Sequence, residues 1–331
     1  MSIEIPKESG LLERVFAISN EKQFQQIAQE VFRLQFERNT VYGDYCRAIG
    51  KTPATVASLT DIPFLPIQFF KSHAVKNGAF EPETIFQSSG TTGSMYSRHF
   101  VKSLDVYERS FLDCFKQFYG KPDEYCIVGL LPSYLEQGFS SLVYMVDRLI
   151  RESRHPQSGF YLYNHQQLRV TLEGLEKAGQ KTILFGVTYA LLDFAEKYAF
   201  PLRHTIIIET GGMKGRKKEL LKTELYAELK AAFSLRDIHS EYGMTELLSQ
   251  AYAINGRYRC PPWMKVLLRD ETDPFSIGHR SGAINVIDLA NFWSCSFIAT
   301  EDLGQTQEDN SFEVLGRMDN TDIRGCSQLA L

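Results

Sequence analysis

Residues 182–212 read TILFGVTYALLDFAEKYAFPLRHTIIIETGG, and this stretch decides the fold. Thr182–Val187 and Thr205–Glu209 are short runs of Ile, Leu, Phe and Thr, the composition of strands. Tyr189–Tyr198 between them has the length and apolar spacing of a helix. Working outward, Tyr125–Leu131 reads as a further strand, and Leu104–Phe118, Ser140–Arg151, His165–Lys177 and Lys217–Phe233 read as helices. Strands alternating with helices of this length argue for α/β layers around a largely parallel sheet.

The flanks differ. In Glu21–Asn39 the residues Phe24, Ile27, Val31 and Leu34 fall on one helical face. Thr52–Phe70 carries Pro53, Pro63 and Pro66, so it is expected to be extended and irregular. Beyond Glu246 the helical signal fades, and Ala251–Tyr258, Met264–Leu268, Ala283–Leu289, Cys295–Thr300 and Phe312–Leu315 read as short strands joined by turns. A smaller, mostly antiparallel β unit is expected there. The expected organisation is one domain over 1–331, in three parts: a helical part at 1–83, an α/β core at 84–246, and a β-rich part with a C-terminal arm at 247–331.

Composition narrows the function classes. The chain has 331 residues, 44% of them hydrophobic, enough for a large core. A formal net charge of -4 gives no global basic excess to ask for nucleic acid or an anionic membrane. The N-terminus MSIEIPKESG lacks the basic-then-apolar pattern of a signal peptide, and no apolar run approaches the ~18 residues of a membrane span. Cys46, Cys114, Cys126, Cys260, Cys295 and Cys326 are scattered without zinc spacing, which reads as reduced thiols in a cytoplasmic protein.

Four short segments are able to carry chemistry. Ser88-Ser89-Gly90-Thr91-Thr92-Gly93-Ser94 follows a strand at Thr84–Phe86; its hydroxyls and glycine-freed N–H groups suit phosphate oxygens, although an ordinary polar turn has the same composition. In Glu241-Tyr242-Gly243-Met244-Thr245-Glu246 the final acid can hold Mg2+ while the threonine touches phosphate; alternatively this is a helix start. Thr300-Glu301-Asp302-Leu303-Gly304 places an aspartate at a strand-to-turn position, able to accept two ribose hydroxyls or to form a plain β-turn. Gly316-Arg317-Met318-Asp319 is a turn whose arginine can reach phosphate or ribose, or simply face solvent.

The order of the four is more telling than any one of them. A hydroxyl-rich loop, YGMTE, TEDLG and GRMD in succession resembles the adenylate-forming enzymes: acyl-CoA synthetases, peptide-synthetase adenylation domains and luciferases. Ile62–Ser72 (IPFLPIQFFKS), Ser97-Arg98-His99, Leu131–Leu135 (LPSYL) and Arg324-Gly325-Cys326-Ser327 are similar to the acyl-protein synthetases of the LuxE type, with phenylacetate–CoA ligases more distant. The resemblance implies ATP and Mg2+, and a carboxylic acid, in this family a fatty acid, activated as acyl-AMP. It implies that Ser88, Ser89, Gly90, Thr91, Thr92 and Gly93 hold phosphates, and that Gly211, Gly212 and Met213 pass the adenine. Tyr242 beside Gly243 would lie against the base, Thr245 bind phosphate, Glu246 hold the metal, Asp302 take the ribose hydroxyls and Arg317 hold ribose or phosphate.

Two departures from the family pattern bear on mechanism. The lysine usual after the hydroxyl-rich loop is replaced by Met95, Tyr96 and Ser97, leaving Arg98 or His99 as the local cation or as strand residues. The chain also stops soon after GRMD, where family members continue into a small domain carrying the adenylation lysine. Lys214 is the expected substitute for that lysine, in a basic run with Arg216, Lys217 and Lys218. The resemblance further implies that Cys326 accepts the acyl group as a thioester and passes it to a partner such as an acyl reductase or acyltransferase. The competing expectations are an arylacetate-type ligase using free CoA and a nucleotide-binding scaffold without catalysis. The acid pocket is expected near Tyr134, Phe139, Phe185–Tyr189 and Gly211–Met213.

Overall fold

The computed structural model describes residues 5–88, 96–131, 139–212 and 222–318, with residues 5–9 described by their backbone only. The chain opens on three helices, α1 (Ile5–Phe16), α2 (Glu21–Arg38) and α3 (Thr40–Ala48). Asn39 divides the last two. Its N–H closes α2 on the Gln35 carbonyl, and its side-chain oxygen accepts from the Tyr42 N–H at 3.0 Å to start α3. The expected apolar stripe of α2 is buried at Phe24, Ile27 and Val31, joined by Phe32. The proline-rich stretch holds one 3-10 turn, Leu59–Asp61, and a two-residue strand β1 (Leu65–Pro66), followed by a single-turn helix α4 (Phe69–Ser72). β2 (Thr84–Gln87) and β3 (Arg98–Val101) then pair antiparallel as a small separate sheet.

The alternation expected from residues 182–212 follows. It runs α5 (Leu104–Tyr119), β4 (Cys126–Leu130), α6 (Ser141–Ser153), β5 (Gly159–Phe160), α7 (His165–Ala178), β6 (Thr182–Gly186), α8 (Thr188–Lys197), β7 (Thr205–Glu209), α9 (Lys222–Phe233) and β8 (His239–Tyr242). β5, β4, β6, β7 and β8 are parallel neighbours in that spatial order. Every residue of β4 and β6 is buried, as a strand covered on both faces requires. Alternate side chains divide between two cores. Ile127, Ile183 and Ile208 face α5 and α6; Val128, Leu184 and Ile207 face α7, α8 and α9.

The last part is β9 (Ala251–Ile254), β10 (Arg257–Arg259), β11 (Met264–Arg269), β12 (Ile277–His279), β13 (Ser281–Asp288), β14 (Phe297–Thr306) and β15 (Phe312–Arg317). These antiparallel strands continue the same sheet, because β9 pairs with β8. The layered mixed α/β architecture expected from the sequence is therefore found. Two local expectations change. Ala251–Tyr258 is a hairpin of two strands, since Asn255 (φ 54) and Gly256 (φ 76) form a two-residue turn that needs positive φ at both positions. The segments containing Asp302 and Arg317 are not turns. Asp302 lies inside the ten-residue β14 and Arg317 ends β15, paired directly opposite it. Among the described residues no helix is long and apolar enough to cross a membrane.

Candidate active site

The parallel strands all end on one edge, and outside the carboxyl ends of such strands α/β folds place their ligands. Gly211 and Gly212 follow β7, Tyr242 closes β8, and Ser88 follows β2. β14 and β15 bring Asp302 and Arg317 to the same place from the antiparallel side. The Tyr242 hydroxyl donates to Asp302 Oδ2 at 2.8 Å. Arg317 Nε donates to Asp302 Oδ1 at 3.3 Å. Asp302 and Tyr242 are buried, whereas the Arg317 side chain is 82% exposed. Burial beside Asp302 raises the Tyr242 phenol well above its usual range, so it stays a donor. The Tyr242 ring packs edge-on against Tyr258 and Phe312, which stack on each other, so its plane is fixed.

Thr245 and Glu246 follow in a turn closed by the Leu247 N–H on the Met244 carbonyl at 3.1 Å; no helix starts here. Glu246 is only 5% exposed. Burial raises its carboxyl, a hydrogen bond from Ser97 and the charges of Lys71 and Arg317 pull it back, and the net shift is upward. Ser97 also meets Ser88, whose hydroxyl accepts from the Ser97 N–H at 3.0 Å while its own N–H donates to the Ser97 carbonyl at 3.1 Å. The base of the hydroxyl-rich loop and the Glu246 carboxyl thus share one residue. His99 is not the local cation. It is buried, desolvation pushes its pKa down to about 4, and Nδ1 donates to the Thr245 carbonyl at 2.8 Å. Arg98 is exposed, with its guanidinium 5.7 Å from the Phe100 ring centre.

Gly211 (φ 78) and Gly212 (φ 91) make a turn that side-chain-bearing residues resist. The turn is fixed by Glu209, a residue sequence reasoning passed over. Its Oε1 accepts from the Gly211 N–H at 2.7 Å and from the Thr188 hydroxyl, and its Oε2 accepts from Ser240 Oγ at 3.2 Å. Ser240 is 2.7 Å from the Tyr258 hydroxyl, to which Lys222 Nζ donates at 2.7 Å. The signal available in the sequence was an acid ending an otherwise apolar strand. Glu241 is the other unanticipated group. Burial, reinforced by the charge of Glu209, lifts its carboxyl to about 8, and its Oε1 lies 2.3 Å from where a Cβ on residue 243 would sit. A side chain at residue 243 would therefore oblige the Glu241 carboxyl to shift.

Ser89, Gly90, Thr91, Thr92, Gly93, Met213, Lys214, Tyr134 and Cys326 lie outside the described residues. Of the expected pocket residues, Phe139 is 62% exposed, and its carbonyl accepts from the Gln87 N–H at 2.8 Å. Phe185 is wholly buried in the core.

Among the described residues no three His, Cys, Asp or Glu side chains converge as a metal cage. One buried carboxylate, Glu246 with its hydrogen bond from Ser97, does fit a Mg2+ carried by nucleotide phosphates, since that ion takes one or two protein carboxylates and keeps the rest of its shell from substrate and water.

No family model and no curated protein matches the chain. Solved structures do match in fold. A 2-hydroxyisobutyryl-CoA ligase in the postadenylation state, in complex with 2-HIB-AMP, aligns over 96% of this chain and 69% of its own, at 12% identity and TM-score 0.63. ATP-bound MatB from Rhodopseudomonas palustris aligns over 84% and 58%, at 17% identity and TM-score 0.52. An ATP-bound chimera of RpMatB and BxBclM aligns over 72% and 49%, at 16% identity and TM-score 0.50. The chain thus spans about half to two thirds of the length of these structures, and it shares their fold.

Proposed function

We propose that the chain activates a carboxylic acid with ATP, forming acyl-AMP and pyrophosphate. The observation carrying this reading is the buried Tyr242–Asp302 hydrogen bond with Arg317 paired to the same carboxylate, in a fold shared with ATP-bound and 2-HIB-AMP-bound ligases. An oxygen of the substrate carboxylate attacks the α-phosphorus, the bond to the pyrophosphate oxygen breaks, and pyrophosphate leaves. Both reactants are anions, so the site must offset their repulsion rather than supply a nucleophile. Asp302 takes the ribose hydroxyls, with its second lone pairs already held by Tyr242 and Arg317. The Gly211–Gly212 turn lies beside the base, and Ser88 to Gly93 surround the phosphates. Glu246, Thr245 and Ser97 would hold Mg2+ and phosphate oxygens, and the ion would supply charge neutralisation there. Lys71 and Arg317 already act on Glu246 through space, and Lys214 joins them as the cation for the reacting phosphate.

The acyl group then passes to Cys326. Its thiolate attacks the acyl carbonyl, the bond to the AMP oxygen breaks, and AMP leaves while the thioester forms. In support, burial raises the thiols of Cys46, Cys114, Cys126, Cys260 and Cys295, so none of them is a ready nucleophile. A fatty acid is the substrate and an acyl reductase or acyltransferase the onward acceptor. The likeness to a CoA ligase favours one second reading, transfer to free CoA. Incubation with ATP, Mg2+ and a panel of acids, with and without CoA, followed by intact protein mass before and after hydroxylamine and by acyl-CoA detection, separates the two. A hydroxylamine-labile adduct that disappears in Cys326→Ser supports the thioester. Unimpaired acyl-CoA synthesis by Cys326→Ser supports the ligase.

A further inference from the structure

The turn carrying Glu246 has its backbone groups taken by side chains from distant parts of the chain. The Thr245 carbonyl accepts from His99 at 2.8 Å, and the Glu246 carbonyl accepts from Asn291 Nδ2 at 2.7 Å. The N–H groups of Leu248 and Ser249 both donate to Asp288 Oδ2, at 2.7 and 3.0 Å, and the Ser249 hydroxyl donates to Asp288 Oδ1. Asp288 ends β13, and Asn291 lies in the connection to β14; both are wholly buried. Asn291 Nδ2 also donates to the Cys295 carbonyl at 2.9 Å, so one amide ties that connection to the Glu246 backbone.

The connection is itself held from behind. Gln35 of α2 donates to the Asn291 and Phe292 carbonyls at 3.2 and 3.0 Å and accepts from the Ser296 N–H at 2.9 Å. Asn39 donates to the Ser294 carbonyl at 3.0 Å. A turn that only reverses the chain at a surface satisfies its backbone with water. This one is fixed by buried polar side chains, each costly to bury unless its bonds are made.

We propose that Asp288 and Asn291 are positioning residues that hold the Glu246 carboxylate in place for the metal–nucleotide, with Gln35 as their buttress. The proposal rests on the adenylation reading above. It explains why Asn291 bonds the Glu246 carbonyl and Asp288 the N–H groups of Leu248 and Ser249 just beyond it, each from some forty residues further along the chain. In Asn291→Asp an oxygen replaces the amide nitrogen and faces the Glu246 and Cys295 carbonyls, turning two attractions into repulsions. In Asp288→Asn the shape remains, but the negative charge that three donors address is lost and one acceptor becomes a donor.

The test is Mn2+ titration of the full chain with a non-hydrolysable ATP analogue, followed by electron paramagnetic resonance, together with analogue affinity without metal. Outer residues that orient metal ligands are worth about 10- to 100-fold in metal affinity. Asn291→Asp and Asp288→Asn are expected to weaken Mn2+ by that factor and to leave metal-free analogue binding within about twofold. Leu172→Ala, a core truncation in α7 on the other face of the sheet, is expected to lower thermal stability and leave the Mn2+ constant unchanged. Equal Mn2+ affinity in Asn291→Asp and the unmodified chain overturns the proposal, as does equal weakening by Leu172→Ala. If Asn291→Asp does not fold, Asn291→Ser, which keeps one donor, is judged by the same criterion. An unmodified chain that binds no Mn2+–analogue complex overturns the adenylation reading itself.

Discussion

Asp302→Asn tests the nucleotide site at its best-defined point. The variant keeps the side-chain shape and one oxygen, which still accepts from Tyr242 at the observed 2.8 Å. What it loses is the charged acceptor facing the ribose. A hydrogen bond to a charged group is worth about 1.5–3 kcal/mol, which converts to roughly 10- to 150-fold in nucleotide affinity. The cost to folding is small, because the ion pair lost is with an arginine side chain that is 82% exposed, and such pairs contribute about 0–1 kcal/mol. Calorimetric titration with ATP and with 2′,3′-dideoxy-ATP isolates the contact. The unmodified chain should bind ATP about 10- to 150-fold more tightly than the dideoxy analogue, and Asp302→Asn should bind the two within about threefold of each other. If the substitution penalises both nucleotides equally, Asp302 does not hold the ribose and the reasoning fails.

His99 gives a pH signature in stability. It is buried neutral with a pKa near 4 against an ordinary 6.5, so between those values the unfolded chain binds a proton that the folded chain refuses. Stability should be unaffected by His99 above pH 6.5 and fall by up to about 1.4 kcal/mol per pH unit below it, on the order of 3 kcal/mol by pH 4. Urea unfolding at several pH values should show a shallower acid slope in His99→Gln; an unchanged slope means His99 is not buried neutral. Glu209→Ala leaves the Gly211 N–H and two hydroxyls without their acceptor, at about 1 kcal/mol each, and should lower unfolding stability by about 2–4 kcal/mol while raising the KM for ATP. Glu209→Gln, which keeps the Oε1 acceptor, should recover most of both; indistinguishable variants would deny Glu209 the anchoring role. Lys214→Ala should reduce acid-dependent exchange of pyrophosphate into ATP about 100-fold or more with little change in ATP affinity, as for loss of one transition-state donor, and an unchanged rate removes Lys214 from the mechanism.

The α/β layering was legible because β4, β6 and β7 are continuous apolar runs and the helices between them are amphipathic. Local pattern decides such elements. The hairpin at Asn255-Gly256 was just as local, and its two-residue signal was lost inside a longer β-type run. Asp302 and Arg317 were singled out by the sequence but placed in turns, whereas both lie in strands. Whether TEDLG turns or continues depends on pairing with β13 and β15, which no local spacing encodes. Asp288, Asn291 and in part Glu209 were illegible for the same reason. Each matters through partners distant in the chain: Asp288 through the Leu248 N–H, Asn291 through the Glu246 carbonyl, and Glu209 partly through Ser240. His99 shows the converse. It was read as either a cation or a strand residue; it is a strand residue of β3, and burial against the Thr245 carbonyl makes it a neutral donor.

The most direct test of the central claim is carboxylate-dependent exchange of labelled pyrophosphate into ATP. With Mg2+ and a panel of fatty, aryl and hydroxy acids, at least one acid should drive exchange. That exchange should be independent of added CoA, persist in Cys326→Ser and collapse in Asp302→Asn at limiting ATP. No exchange with any acid, by a chain shown to bind ATP, would contradict the account and leave a nucleotide-binding scaffold.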